Sequence, residues 1–206
     1  MSKPPVLKFI KQIRRPVFTT YEISALSGKS ASATTQALNY LEREGILVKI
    51  YRGIWAEAGH ERLTPFVVIP YLFPRHRAYV SFVSALHMHG MIEQIPQVIT
   101  VASTAHTRTI KTRIGTYSVH QLAPSFFAGF HWYKKEGHFL IAEPEKALID
   151  SLYLSAHKKR QFAYFPELHF PKPFSFKRAE GWAKRISDPR IRKNVQLKLT
   201  ALIRKF

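Results

Sequence analysis

The chain has 206 residues, 46% of them hydrophobic and 13% aromatic, with 32 Lys and Arg against 13 Asp and Glu, a formal charge of +19 and a pI near 10.3. That much apolar material excludes a disordered chain, and the charge excess points to a polyanion or an acidic partner. With no cysteine there is no disulfide framework and no thiolate metal site. The longest apolar run, Pro65 to Phe73, is too short to span a bilayer, and Met1-Ser2-Lys3-Pro4-Pro5 lacks a signal-peptide layout, so the expected location is cytoplasmic, away from membranes.

Val6, Leu7, Phe9, Ile10 and Ile13 predict a first amphipathic helix, with Lys8, Lys11, Arg14 and Arg15 on its wet side. Thr19 and Glu22 form a capping box that opens a short helix with Ile23 and Leu26 inward, ending at Gly28. Ser30 caps a longer helix whose inward positions are Thr34, Ala37, Leu38 and Leu41, ended by Gly45. Ile46 to Tyr51 and Ile54 to Ala56 then read as two strands of a hairpin turning at Arg52-Gly53. Helix, turn, helix and hairpin together predict a winged helix-turn-helix DNA-binding domain over residues 1–58.

The chemistry expected of this domain lies on the face its core leaves free. Ser32, Gln36, Asn39 and Arg43 fall along one side of the second helix of the motif, with Thr35 beside them. Small residues at its start, Ser30 among them, let the helix approach a phosphate and the major-groove floor, and Gln and Asn can each bond an adenine edge bidentately. Lys29 before the helix and Lys49, Tyr51 and Arg52 around the wing are placed for backbone contacts. The alternative is a solvated helix in a protein-binding winged helix.

Polar residues Ala58 to Arg62 mark the expected boundary, with an α/β domain over 59–206. Thr64 to Pro74 could be a buried strand or a short helix, since Pro70 argues against a long one of either. Tyr79 to Met91 predicts a buried helix ending at Gly90; His87 and His89 on it point about 200° apart and cannot share one metal ion. Runs 97–102, 107–112 and 116–122 predict a small, mainly antiparallel sheet. Phe126, Phe127, Phe130, Trp132 and Tyr133 could stack nucleic-acid bases or fill a core. After a further strand at 139–142, Glu143-Pro144-Glu145-Lys146 starts a helix with Pro at its first position and acids in its first turn. The same Glu143, Glu145 and Lys146 with Asp150 could be a nuclease or nucleotide-handling site, but capping accounts for them and no acidic partner stands on a preceding strand. No catalytic residue, metal or cofactor is expected.

Residues 151–206 carry 14 Lys and Arg against three acids. The run Lys158-Lys159-Arg160 opens a basic extension, 155–206, with helices expected over 177–186 and 190–205. Ile191, Val195, Leu197, Leu199, Leu202 and Ile203 form an apolar stripe on the last, and Arg190, Arg192, Lys193 and Lys198 stand ready for phosphate contacts. The fold expected is α+β: an N-terminal winged helix-turn-helix, a mixed α/β domain and a helical basic tail.

The order of a winged helix, then Tyr79-Val80-Ser81-Phe82-Val83-Ser84-Ala85-Leu86-His87-Met88-His89-Gly90, then Glu93-Gln94-Ile95-Pro96, Ile99-Thr100-Val101-Ala102 and Ile141-Ala142-Glu143-Pro144-Glu145-Lys146-Ala147-Leu148-Ile149-Asp150, resembles the AbiEi family of type IV antitoxins, which double as transcriptional autoregulators. The resemblance covers residues 17 to about 154. It implies a non-enzymatic protein that binds inverted repeats of double-stranded DNA in its own promoter. It also implies that the C-terminal domain counteracts a cognate nucleotidyltransferase toxin without a stable complex. A ligand-sensing transcriptional regulator is the other alternative.

Overall fold

A computed structural model of the protein describes residues 6–133, 139–157 and 167–204. In chain order the first unit contains α1 (Val6–Ile13), β1 (Val17–Thr19), α2 (Thr20–Ser27), α3 (Ala31–Arg43), β2 (Leu47–Tyr51) and β3 (Ile54–Glu57). The capping box forms as the sequence predicts: Glu22 N–H donates to Thr19 Oγ1 (3.1 Å) and Thr19 N–H to Glu22 Oε2 (2.7 Å). Gly28 ends α2 in the left-handed region at φ 62°, where a side chain would be strained. Ser30 then accepts from Ala33 N–H to open α3. β3 is the central strand, antiparallel to both β1 and β2. β1 was not expected; three residues are too few for an alternating pattern to show.

Val6, Ile10, Phe18, Ile23, Leu38, Leu47 and Trp55 form the core of this unit, with Ala37 and Leu41 packed against it. Burial of each large apolar side chain contributes about 1.5 to 3 kcal/mol. Trp55 satisfies its indole N–H on Thr20 Oγ1 (2.9 Å), so a large ring fills the core with no stranded donor. Leu26, expected inward, is exposed instead: Ile23 is the buried residue of α2, whose second turn runs past the core.

The ambiguous stretch after Thr64 is helical, a 3-10 turn at Phe66–Val68 running into α4 (Ile69–Leu72) with Pro70 in the first turn, where its missing N–H costs nothing. Arg15 pairs with Glu22 at 2.5 Å, and the Tyr71 hydroxyl lies within electrostatic reach of that pair, which places this stretch at the α1–α2 junction. The compact division therefore falls after Pro74 and not at the polar residues from Ala58. Lys111–Gly115 also groups with this unit, where Arg113 donates its N–H to Ile50 O and pairs with Glu42 at 2.8 Å.

A six-stranded sheet, part of the second unit except at the β6–β7 turn, consists of β4 (Ala78–Val80), β5 (Ile99–Ser103), β6 (Arg108–Thr112), β7 (Gly115–Gln121), β8 (Phe130–Tyr133) and β9 (Phe139–Ala142), in spatial order β6-β7-β5-β4-β9-β8. β4–β5 and β8–β9 are antiparallel, β4–β9 and β5–β7 parallel, so the sheet is mixed where a mainly antiparallel one was expected. Short apolar runs give the strands but not their direction. Tyr79 and Val80 belong to β4, and the helix predicted from Tyr79 begins only at Phe82 as α5 (Phe82–Met88). The chain changes from strand to helix at Phe82 itself, buried and held at φ 55°, a conformation that costs a bulky residue about 1 to 3 kcal/mol.

α6 (Pro144–Ala156) is buried on nearly every side, with α5, α7 (Phe176–Lys184) and α8 (Pro189–Ile203) packed against it. α7 approaches through Ala179 and Ala183, and α8 through Val195 and Leu199. The expected basic extension is thus, over its described part, a docked layer of this unit. Leu197, counted in the apolar stripe, faces water. Lys158-Lys159-Arg160 lies outside the described residues. No described helix is long and apolar enough to cross a membrane.

Candidate nucleic-acid interface

The buried stripe of α3 fixes what the opposite side can do. Thr34 and Leu38 are fully buried and Ala37 and Leu41 partly so. At 100° per residue the centre of the opposite side falls among Ser32, Gln36, Asn39 and Arg43, the face expected from the sequence. Ser32, Gln36 and Arg43 are exposed and Asn39 is half-buried. Among the described residues neither Gln36 nor Asn39 has a side-chain hydrogen bond, so both amides keep their full donor and acceptor capacity for a base edge.

Other residues of the expected interface are partly committed. Ser30 uses its hydroxyl on Ala33 N–H as the helix cap, and Thr35 turns its hydroxyl back onto Ala31 O (2.8 Å), which leaves no free hydroxyl there for a base. Lys29 is half-buried at the turn, its carbonyl accepting from Ser24 Oγ at 2.7 Å. On the hairpin, Arg52 is exposed at the tip and Tyr51 beside it is 40% exposed. Lys49 lies 5.1 Å from the centre of the Trp55 ring, so its stem is packed while its charge stays near the surface.

Sequence reading missed Tyr40, which flanks the face at 54% exposure with the Arg43 guanidinium 5.9 Å from its ring centre. An aromatic at i+4 from Gln36 is a signal that could have placed it there.

α6 starts as the sequence predicts, with Pro144 at its first position and Glu145 in the first turn, but its acid and base side chains turn inward and do not line an open site. Glu145, Lys146 and Asp150 have no exposure at all. Lys146 Nζ pairs with Asp150 Oδ1 one turn on and donates to Tyr79 OH (3.2 Å); Tyr79 OH and Ser81 Oγ both donate to Asp150 Oδ2, at 3.0 and 2.8 Å. Phe126 lies under the ammonium, its ring centre 3.9 Å from Nζ. Burial pushes the Asp150 carboxyl up, against the pull of Lys146, and pushes the Lys146 amine down, against the pull of Asp150. Glu145 accepts from Ser175 N–H (2.9 Å) and Arg178 Nε (3.2 Å), fastening α7 to α6. This is an interior network, sealed from a phosphodiester. Of the aromatic stretch before it, Phe126 is buried and Trp132 is exposed on β8.

His89 Nε2–H donates to Ala142 O at 2.7 Å, and burial lowers its pKa, partly offset by that bond, so the ring ties α5 to the end of β9 as a neutral donor. In the tail, Arg190 and Lys193 are exposed and Arg192 half-buried, but Lys198 donates to Ser155 Oγ on α6 (2.8 Å) and is less free than expected.

Residues 7–58 match the family described as transcriptional regulator, AbiEi antitoxin. The matched segment covers the helix, turn, helix and hairpin and stops where β3 ends. No curated protein matches the chain.

Proposed function

We propose that this protein is a DNA-binding antitoxin that represses its own operon. The winged helix would bind inverted repeats of double-stranded DNA, with Lys29, Ser30, Ser32, Thr35, Gln36, Asn39, Arg43, Lys49, Tyr51 and Arg52 at the interface. The observation that carries the reading is the position of Gln36 and Asn39, unpartnered amides directly opposite the buried stripe of α3. The match of residues 7–58 to an antitoxin regulator family supports it.

The division of labour is part of the same proposal. The unit up to Pro74 reads the operator, and the second unit counteracts a cognate nucleotidyltransferase toxin in the type IV manner, without enzymatic activity or a stable complex, in the cytoplasm. Arg190, Arg192 and Lys193 add phosphate contacts without sequence information. The test pairs a mobility-shift titration on the chain's own upstream DNA with a toxin-protection assay in which the toxin is expressed from an unrelated promoter. Specific retention and protection together are expected. Retention no stronger than on random DNA overturns the operator reading; a full-length chain that does not protect overturns the antitoxin reading.

A further inference from the structure

From the composition of the outer face of α3, and resting on the operator reading above, we infer that the half-site it contacts has an A·T core. Arg or Lys bidentate to guanine is the commonest specific base contact in the major groove. Through its first ten residues, Ala31 to Tyr40, α3 carries neither. What it offers instead is the adenine-reading pair Gln36 and Asn39, with no competing intramolecular hydrogen bond, three residues apart and so about one base step along the groove.

Around those amides stand methyl groups. Ala33 is exposed one turn before Gln36, and Thr35, one turn before Asn39, has its hydroxyl committed to Ala31 O and so only its methyl left to offer a base. Exposed methyls beside the adenine readers match the C5-methyl of thymine, the group that makes T·A distinct in this groove. The hairpin agrees independently. Arg52 stands exposed at its tip, and a narrow A·T minor groove concentrates the negative potential that draws an arginine in. Arg43, the first cation on the face, comes a full turn after Asn39 and lies against Tyr40, at the end of the helix better placed for a phosphate than for the central bases.

Selection of the full-length chain on random-sequence duplexes, followed by titration of the winning site, tests this. The expected site has adjacent A·T pairs at the centre of each half-site. Gln36→Ala and Asn39→Ala should each relax one of those positions, with a loss of roughly five- to 150-fold on the selected site. Replacing the central thymines by uracil, which removes the methyls and leaves all hydrogen bonds, should weaken binding about fourfold per methyl. A selected half-site with a G·C core, or unchanged affinity for the uracil site, overturns this inference and leaves the operator reading standing. Failure to enrich any sequence overturns both.

Discussion

Lys146 and Asp150 face each other one turn apart on α6 as an ion pair with no exposure of either side chain. Two charges removed from water are held by Tyr79, Ser81 and the Phe126 ring, so each depends on the other. Removing one partner leaves a stranded charge, whereas replacing both with apolar side chains removes the problem. Asp150→Leu should therefore cost about 3 to 5 kcal/mol, and adding Lys146→Met should recover most of it. Urea unfolding of the four-member cycle measures this, and an additive double variant would refute the coupling.

Gly129 and Trp182 make a second close fit. At φ 77° Gly129 adopts a backbone that side chains avoid, and a Cβ there would stand 2.5 Å from the Trp182 ring. Gly129→Ala is expected to destabilise by more than the roughly 1 to 2 kcal/mol of the backbone strain alone. In a Trp182→Ala background most of the excess should vanish, leaving the strain and the 3.0 Å approach to Lys146 Cγ. Equal costs in the two backgrounds, read from denaturant midpoints, would show that the contact does not restrict the site.

Much of the first unit was legible because its signals are local. Thr19 with Glu22, Ser30 and Gly28 specify the helix ends within a few residues, and the spacing of Thr34, Ala37, Leu38 and Leu41 fixes which side of α3 faces out. The second unit was less legible because its partners are distant in sequence. Nothing near Lys146 announces Tyr79 or Trp182, and a first-turn Glu145 looks solvated until Arg178 closes over it. Strand runs gave no direction, so the parallel pairing of β4 with β9 was invisible. Tyr79 was drawn into the helix that follows it because its apolar neighbours satisfy both periods.

Glu22 gives a pH prediction. Burial raises its carboxyl, but the Thr19 N–H and Arg15 outweigh that and hold its pKa below the ordinary range. Because the folded pKa is the lower one, Glu22 contributes stability above the ordinary carboxylate pKa of about 4.3, and this is lost as pH falls through the depressed folded value. A carbon-detected NMR titration should place the Glu22 midpoint below 4.3 (about the unperturbed value), and Arg15→Ala should move it upward. An unmoved midpoint would remove Arg15 from the explanation.

The tail cations should separate into two kinds. Arg190→Gln, Arg192→Gln and Lys193→Gln together should lower the slope of log affinity for operator DNA against log salt by roughly one unit per lost phosphate contact, with selectivity kept. Lys198→Gln should leave the slope alone and slightly weaken the docking of α8, because its ammonium is bonded to Ser155. An unchanged slope in the triple variant with lost toxin protection would assign these residues to the antitoxin activity.

Whether α3 is the reader is tested most directly by a titration of the full-length chain against operator and random duplexes. Gln36→Ala and Asn39→Ala should each weaken operator binding by about 1 to 3 kcal/mol and leave random-DNA binding nearly unchanged, while Arg52→Ala lowers both alike. Operator preference left intact in both amide variants would contradict the account.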